Sequence, residues 1–325
     1  MKNRRKEYID IYRGIGILFM IVGHVYIGYA FDKFSHAFHM PMFFFVSGYF
    51  FTIKSKKDFF CNKLKTLLIP YFVFGSINIF LYSQIRNINP VDMFSHLFWI
   101  NTEGLYAVGA IWFLTALFFA TSIYFLLYKT ANTPITLFIL VNVICVVGYS
   151  MSTYCVFQLP WALEASFVSI CFIYFGNIVR KYEDNRIIKT ILNIRFYLLV
   201  PLIIIDSLLI YTNGYINMRT GDYANFFLFF INASLSIVIL WNVAKLFSVS
   251  QCKVIKCISS VLQYIGRNSI VFLCLNQIVI CALTEMLPNF NMYIKKAIIF
   301  FITIAVLSLL NKCITGTKLK VIIGR

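Results

Sequence analysis

Two ionisable residues, Arg13 and His24, lie in the first apolar segment of the chain, at about 11–30. Such side chains are costly inside a membrane and mark functional sites by default. The two positions are eleven residues apart, so on a helix of about 100° per residue they share one face, roughly 16 Å apart along the axis. Histidine can act as a general base near neutrality, and the planar guanidinium of arginine suits phosphate. The structural alternative is an Arg13 that reaches the interface and a His24 that is hydrogen-bonded within a bundle.

Other polar residues fall in further apolar segments. His36 and His39 are three positions apart, which makes them neighbours on a helix. A histidine cluster suits a metal, but no carboxylate or cysteine within a span stands close in sequence to complete the site, so no metal is predicted. Glu164, Asp206 and Asn276 are also intramembrane polar residues. Either carboxylate could orient a catalytic histidine or act as a structural acceptor, and the roles of all three residues stay open.

The elements that must position these residues are membrane-spanning helices. The chain has 325 residues, of which 60% are hydrophobic and 13% charged, whereas a soluble domain is about 45–50% apolar and about 25% charged. A soluble enzyme is therefore excluded. A spanning helix needs roughly 20 mostly apolar residues, and ten segments qualify, at about 11–30, 37–53, 66–83, 108–128, 134–151, 161–179, 191–211, 225–244, 268–285 and 294–311. We predict an all-α polytopic integral membrane bundle of about ten helices, with residues 1–325 forming a single domain.

Basic residues are distributed unevenly between the loops that join these segments. The net charge is +17, from 29 basic and 12 acidic residues. Arg13 lies inside the first segment, 23 basic residues fall in one alternating set of loops, and the other set holds only Lys33, Arg86, Arg219, Lys295 and Lys296. The positive-inside rule then places both termini in the cytoplasm. The basic charge is thus a topology signal for a multi-pass protein of the cell inner (cytoplasmic) membrane, in contact with the lipid bilayer, and no nucleic acid partner is predicted.

Several segments resemble a known family. The stretch from Asp10 to His24, with an arginine and a histidine separated by ten residues, resembles the opening motif of the acyltransferase family 3 membrane proteins. The stretch 38–48, FHMPMFFFVSG, is similar to the second motif of the fucose 4-O-acetylase-like branch. Further similar segments follow in family order, at 63–71 (KLKTLLIPY), 112–114 (WFL), 215–219 (YINMR) and 264–269 (YIGRNS).

The resemblance implies a membrane-embedded O-acyltransferase of ten helices. Such an enzyme takes an acyl group, usually acetyl, from cytoplasmic acyl-CoA and delivers it to a hydroxyl of a surface glycan or its lipid-linked sugar precursor. By the same resemblance, Arg13 assists donor binding and His24 is catalytic. The chain departs from the family at Asn276, where members often carry a histidine, and a role for that position is therefore not implied.

The residues also fit this chemistry independently. Acyl transfer to a sugar hydroxyl needs a base and hydrogen-bond donors for the developing oxyanion. We expect His24 and His39 to be catalytic, the former as the base, with Tyr49 and Trp112 as further candidate donors to the oxyanion.

The predicted donor site lies at the cytoplasmic surface. Arg13, Lys63 and Lys65 are expected to bind the phosphates of acyl-CoA, with the thioester arm extending to His24. The alternatives are a glycan transporter or flippase, a glycan polymerase and a structural membrane subunit. The sequence shows neither the paired broken helices that are frequent in transporters nor a large outer loop. The acceptor sugar, the acyl group and the choice between direct transfer and a covalent intermediate stay open.

Overall fold

The computed structural model describes residues 6–100, 108–155, 158–288 and 291–324, and within these ranges the chain is helical. The α-helices in chain order are α1 (Glu7–Val25), α2 (Tyr29–His36), α3 (His39–Tyr49), α4 (Lys56–Lys63), α5 (Ile69–Arg86), α6 (Pro90–Met93), α7 (Trp112–Thr130), α8 (Pro134–Tyr154), α9 (Leu163–Lys181), α10 (Arg186–Ile191), α11 (Phe196–Asn213), α12 (Phe226–Val249), α13 (Lys253–Arg267), α14 (Ser269–Met286) and α15 (Met292–Thr315). The predicted all-α class is confirmed.

Nine helices in the described part of the chain are long and apolar enough to cross a membrane. They are α1, a continuous rod at Lys56–Arg86, and the helices built on α7, α8, α9, α11, α12, α14 and α15. The rod joins α4 to α5 through a π-helical turn at Leu64–Leu68. Nine of the ten predicted segments are therefore continuous spanning helices, and the polytopic membrane bundle is confirmed.

The remaining predicted segment, 37–53, is helical over only part of its length. It contains α3, whose 11 residues rise about 16 Å, roughly half the thickness of a hydrocarbon core. Before it, α2 ends at His36, and the two helices are separated at Ala37 and Phe38. Pro41 explains the break, because a proline inside a helix clashes with the carbonyl four residues earlier, here that of Ala37. The helix restarts so that Pro41 occupies its first turn, where the missing N–H has no cost.

Close backbone contacts hold the central helices α1 and α3. An added Cβ on Gly48 of α3 would lie 1.9 Å from the Ile173 carbonyl oxygen of α9, and one on Gly176 of α9 would lie 2.0 Å from the Phe45 carbonyl oxygen. The same close approach brings Gly14 of α1 against α13. Glycine at these crossings lets helices meet through their backbones, as in other membrane bundles, and it fixes α1 and α3 relative to their neighbours.

One end of the bundle, called the Arg13 end here, carries a charged cluster between the start of α1 and the end of α9. The Lys6 ammonium donates to the Tyr49 hydroxyl (2.7 Å) and pairs with Glu183 (2.5 Å). Arg180 pairs with the same carboxylate. Burial acts to raise the pKa of Glu183, but hydrogen bonds from Lys6 and Arg180 hold it below its usual value. This cluster ties α1, α3 and α9 together.

The opposite end, called the His24 end here, carries the smaller set of basic residues. Lys33 donates to the Tyr211 carbonyl at the end of α11 (2.6 Å). The Lys296 ammonium, in α15, lies over the ring of Tyr26, just after α1. Members of the larger and the smaller set of basic residues thus lie at opposite ends of the helical bundle.

Candidate active site

Arg13 and His24 both contact α14. The Arg13 guanidinium donates to the Ser269 hydroxyl (2.9 Å) at the start of α14, and His24 Nδ1 lies 2.5 Å from Asn276 Oδ1 further along it. The amide oxygen is only an acceptor, so Nδ1 carries the proton and donates. Both side chains therefore lie on the face of α1 that is turned toward α14, and Nε2 of a neutral His24 is left with its lone pair.

A cavity of about 410 Å³ surrounds Arg13. This Arg13 cavity is lined by the cations Arg13, Lys63 and Arg267, by hydroxyls that include Ser269, and by apolar side chains such as Phe43 and Leu273. Cationic groups together with an apolar wall suit a ligand with phosphates at one end and an apolar arm at the other.

The predicted donor residues divide between this cavity and the surface. Arg13 and Lys63 line the cavity, whereas Lys65 is exposed and is not part of the lining. Most of the other lining residues were not predicted from the sequence, among them Arg267 and Ile323. The Nε of Arg267 donates to the buried Asp10 carboxylate (3.0 Å). Because Arg267 belongs to the segment 264–269 that resembles the family, it could have been predicted from the sequence. Ile323 comes from a C-terminal 3-10 turn that packs against the wall of the cavity, and nothing in its local sequence signals that position.

Two adjoining cavities surround His24. The larger, the His24 cavity, measures about 400 Å³ and is lined by residues that include Asp32, Arg86 and Thr284. The smaller, the His39 chamber, measures about 160 Å³ and is lined by residues that include His39 and Trp112. Five polar residues line both spaces, namely His24, His36, Tyr215, Arg219 and Gln277. This polar lining suits an acceptor with several hydroxyl groups.

The candidate oxyanion donors lie in different places. His39 lines the His39 chamber, and its Nδ1 donates to the Ser35 carbonyl (2.7 Å). Nε2 of the neutral ring therefore carries a lone pair and accepts a hydrogen bond from a ligand, so a neutral His39 is not a donor to an oxyanion. Trp112 lines the same chamber. Tyr49 lies elsewhere, because its hydroxyl accepts from Lys6 at the Arg13 end and it lines neither space around His24.

The sequence analysis did not predict a pair formed by a histidine and a carboxylate, His36 and Asp32. His36 Nδ1 donates to the backbone carbonyl of Asp32 (2.9 Å) and lies 2.9 Å from the Asp32 carboxylate, four residues earlier on α2. The i,i+4 spacing of these two residues on a helix is the sequence signal for such a pair. The ring of Tyr215 lies 5.3 Å from that of His36. Burial, and then the nearby Asp32 carboxylate, raises the pKa of Tyr215 above its usual value, so its phenol is protonated at neutral pH.

A thin layer of side chains separates the Arg13 cavity from the His39 chamber. On three helices, a residue that lines one space is followed within one turn by a residue that lines the other: Ile17 and Met20 on α1, Met40 and Phe43 on α3, and Trp112 and Phe113 on α7. About one helical turn, roughly 5 Å, therefore separates the two spaces.

The other intramembrane carboxylates lie outside these cavities. Glu164 accepts from the backbone N–H of Leu159, and Asp206 on α11 accepts from the Ser236 hydroxyl on α12 (2.5 Å). Both geometries are those of structural acceptors. Among the described residues, no group of three or more His, Cys, Asp or Glu side chains is placed to hold a metal ion.

The fold and the site define a polytopic membrane protein with a cationic cavity and a histidine-lined polar cavity inside one helical bundle. A family profile described as an acyltransferase domain matches residues 6–313. The chain therefore belongs to acyltransferase family 3, and it is a membrane acyltransferase. Comparison with curated proteins and with solved structures found no significant match.

Proposed function

We propose that this acyltransferase moves an acyl group, most simply acetyl, from acyl-CoA to a hydroxyl of a cell-surface polysaccharide or its lipid-linked sugar precursor. The observation that carries the proposal is the pair of unlike cavities, one cationic around Arg13 and one polar around His24, with only about one helical turn between them. A donor that is anionic at one end and reactive at the other can fill the first and reach the second.

The donor is assigned to the Arg13 cavity. Its phosphates would contact Arg13, Lys63 and Arg267, which line that cavity. The Ser269 hydroxyl holds the Arg13 guanidinium, so the phosphate site is partly formed before the donor binds. The thioester arm then follows α1 toward His24, over the roughly 16 Å between the two positions on that helix. The proposal requires the side chains between the Arg13 cavity and the His39 chamber to move when the donor binds.

His24 is assigned as the base. Its Nε2 takes the proton of the acceptor hydroxyl while the hydroxyl oxygen bonds to the acyl carbon. The carbon–sulfur bond breaks, and the leaving thiolate takes the proton from His24, so the products are an ester and a free thiol. Trp112 and His39 line the chamber where the oxyanion would form. The acceptor occupies the His24 cavity.

The orientation in the membrane follows from the charge pattern. Lys6, Lys63 and Arg180 belong to the larger set of basic residues, and the positive-inside rule assigns that end of the bundle, with both termini, to the cytoplasm. We place the protein in the cell inner membrane as one acyltransferase domain. Cytoplasmic acyl-CoA then has direct access to the Arg13 cavity, and the acceptor approaches from the other side.

The test is transfer of radiolabelled acetyl from acetyl-CoA to glycan or lipid-linked sugar in membranes that contain the protein. His24→Ala should lower the rate by about 10²- to 10⁴-fold, the usual contribution of general base catalysis. His96→Ala is the matched control, because His96 lines none of the three cavities. Undiminished transfer by folded His24→Ala protein would overturn the assignment.

A transporter makes a different prediction in the same membranes. A glycan flippase would move sugar across the bilayer and leave its mass unchanged. Mass analysis of surface glycan from cells with and without this protein separates the two, since an acyltransferase adds the mass of one acyl group at each modified site. A wild-type protein that alters the amount of surface glycan but never its acyl content would reject the proposal.

A further inference from the structure

Asn276, on α14, contacts the proposed base. Its side chain is fully buried, and its Oδ1 accepts the hydrogen bond that His24 Nδ1–H donates (2.5 Å). Nothing in the opening motif that contains His24 identifies this partner, which comes from the other end of the chain.

The Asn276 amide is itself held in one orientation. Its Nδ2 donates to the carbonyl oxygens of Phe272 (3.0 Å) and Leu273 (2.7 Å), both in the preceding turn of α14. An amide turned the other way would direct N–H groups at His24 and its oxygen at two carbonyls, which cannot donate. The hydrogen bonds of α14 therefore determine which atom of Asn276 meets His24.

That orientation determines the tautomer of His24. With Nδ1–H bound to an amide oxygen, a neutral imidazole keeps its lone pair on Nε2, the nitrogen left for a substrate. The neighbouring His36 has a carboxylate partner in Asp32 instead. A carboxylate stabilises an imidazolium, whereas a neutral amide aligns the ring without adding charge. The two histidines that share the His24 cavity thus have partners of different charge.

We propose that Asn276 is a positioning residue that holds His24 in the tautomer in which Nε2 is the base. The inference rests on the proposed function, because it concerns how the catalytic histidine is prepared. Asn276 acts through His24 and is not itself assigned a contact with either substrate.

The test measures acetyl transfer against pH in detergent-solubilised full-length protein for wild type, Asn276→Leu, Asn276→Gln and Asn276→Asp. The titratable and charged groups around His24 are unchanged in every variant; they are Asp32 and His36 from α2, His39 from α3, Arg86 from α5, and Tyr215 and Arg219 from the segment before α12. Loss of the tautomer lock should lower kcat by about 10- to 100-fold and leave the KM for acetyl-CoA within about twofold. Asn276→Gln should recover part of the loss.

The aspartate variant distinguishes positioning from packing. A carboxylate beside Nδ1 stabilises the imidazolium, so more alkaline solution is needed to free the base, and the acidic limb of the rate profile should move to higher pH. Asn78→Leu is the matched control, because Asn78 is also buried and donates to the backbone of α14 at Cys274 (2.8 Å) without touching His24. It should lower thermal stability and leave the pH profile in place.

The outcomes separate the inference from the function on which it rests. A wild-type protein without transfer activity refutes the proposed function. An active wild type whose Asn276→Leu and Asn276→Asp variants keep the wild-type kcat and pH profile, or behave like Asn78→Leu, refutes the positioning role alone. Should Asn276→Leu fail to fold, the Asn276→Gln and Asn276→Asp profiles decide the question.

Discussion

Gly14 offers a direct test of how the central helices position Arg13. A methyl group added at this position would place its carbon 2.1 Å from the carbonyl oxygen of Leu262 on α13, where ordinary contact begins at 3.4 Å. The shortfall is about 1.3 Å, estimated as the difference between these two distances. The obstacle is a helix carbonyl, which cannot rotate away without losing its own hydrogen bond. Gly14→Ala must therefore separate α1 from α13.

We expect this separation to cost about 1–3 kcal/mol of stability, the usual range for overpacking. Because α13 leads directly into Ser269, it should also loosen the Arg13–Ser269 hydrogen bond and raise the KM for acetyl-CoA. The assay is thermal unfolding in detergent together with donor kinetics. Gly28→Ala is the control, since a Cβ there meets nothing within 4 Å. A Gly14→Ala protein with the melting temperature and donor KM of Gly28→Ala would refute the reasoning.

Three further predictions concern charged groups. Arg13→Lys should raise the KM for acetyl-CoA about tenfold, because an ammonium cannot make the paired hydrogen bonds of a guanidinium; an unchanged KM would contradict the donor assignment. Lys63→Ala should weaken donor binding, whereas Lys65→Ala should not, because Lys65 lies outside the cavity. If the two variants had equal effects in a competition binding assay, the donor phosphates would have to bind elsewhere. Hydrogen bonding and charge from Lys6 hold the pKa of Glu183 low, despite the opposing effect of burial. This pair therefore stabilises the protein at pH values above the unfolded-state pKa, which is near 4.5. The stabilisation is lost as the pH falls through the lower pKa of the folded state. Glu183→Gln should reduce the fall in melting temperature between pH 6 and pH 3, and an identical fall in both proteins would exclude the pair as its source.

Local sequence predicted most of the helical bundle because each spanning helix is a long apolar run. The same reasoning failed at 37–53, where apolar composition favoured a spanning helix but the segment holds only α3, a helix of 11 residues with Pro41 in its first turn. Apolar composition indicates how favourably side chains transfer into lipid. The break between α2 and α3 follows instead from backbone sterics at a single residue, Pro41. The signal in the sequence is the position of Pro41, four residues after Ala37.

The candidate site was predictable only where its residues share one helix. Arg13 and His24 lie on one face because of helix periodicity alone. Asn276 is separated from His24 by 252 positions, and nothing short of the packed bundle brings them together. Lys65 was predicted in the donor site because it is close to Lys63 in sequence, whereas its side chain is exposed and is not part of the lining of the Arg13 cavity.

A single helix supplies the partner of each functional residue on α1. Ser269 and Asn276 are seven residues apart, so they lie on one face of α14 and rise about 10.5 Å, whereas Arg13 and His24 rise about 16.5 Å along α1. The difference of about 6 Å is within the reach of a long arginine side chain, while the short histidine lies directly beside its partner. The tight bond at His24 and the long arm at Arg13 therefore imply a rigid contact at the base and an adjustable one at the phosphate site. That asymmetry is what the proposed chemistry requires, because the base has to meet one hydroxyl in one geometry, whereas a phosphate accepts a guanidinium from several directions.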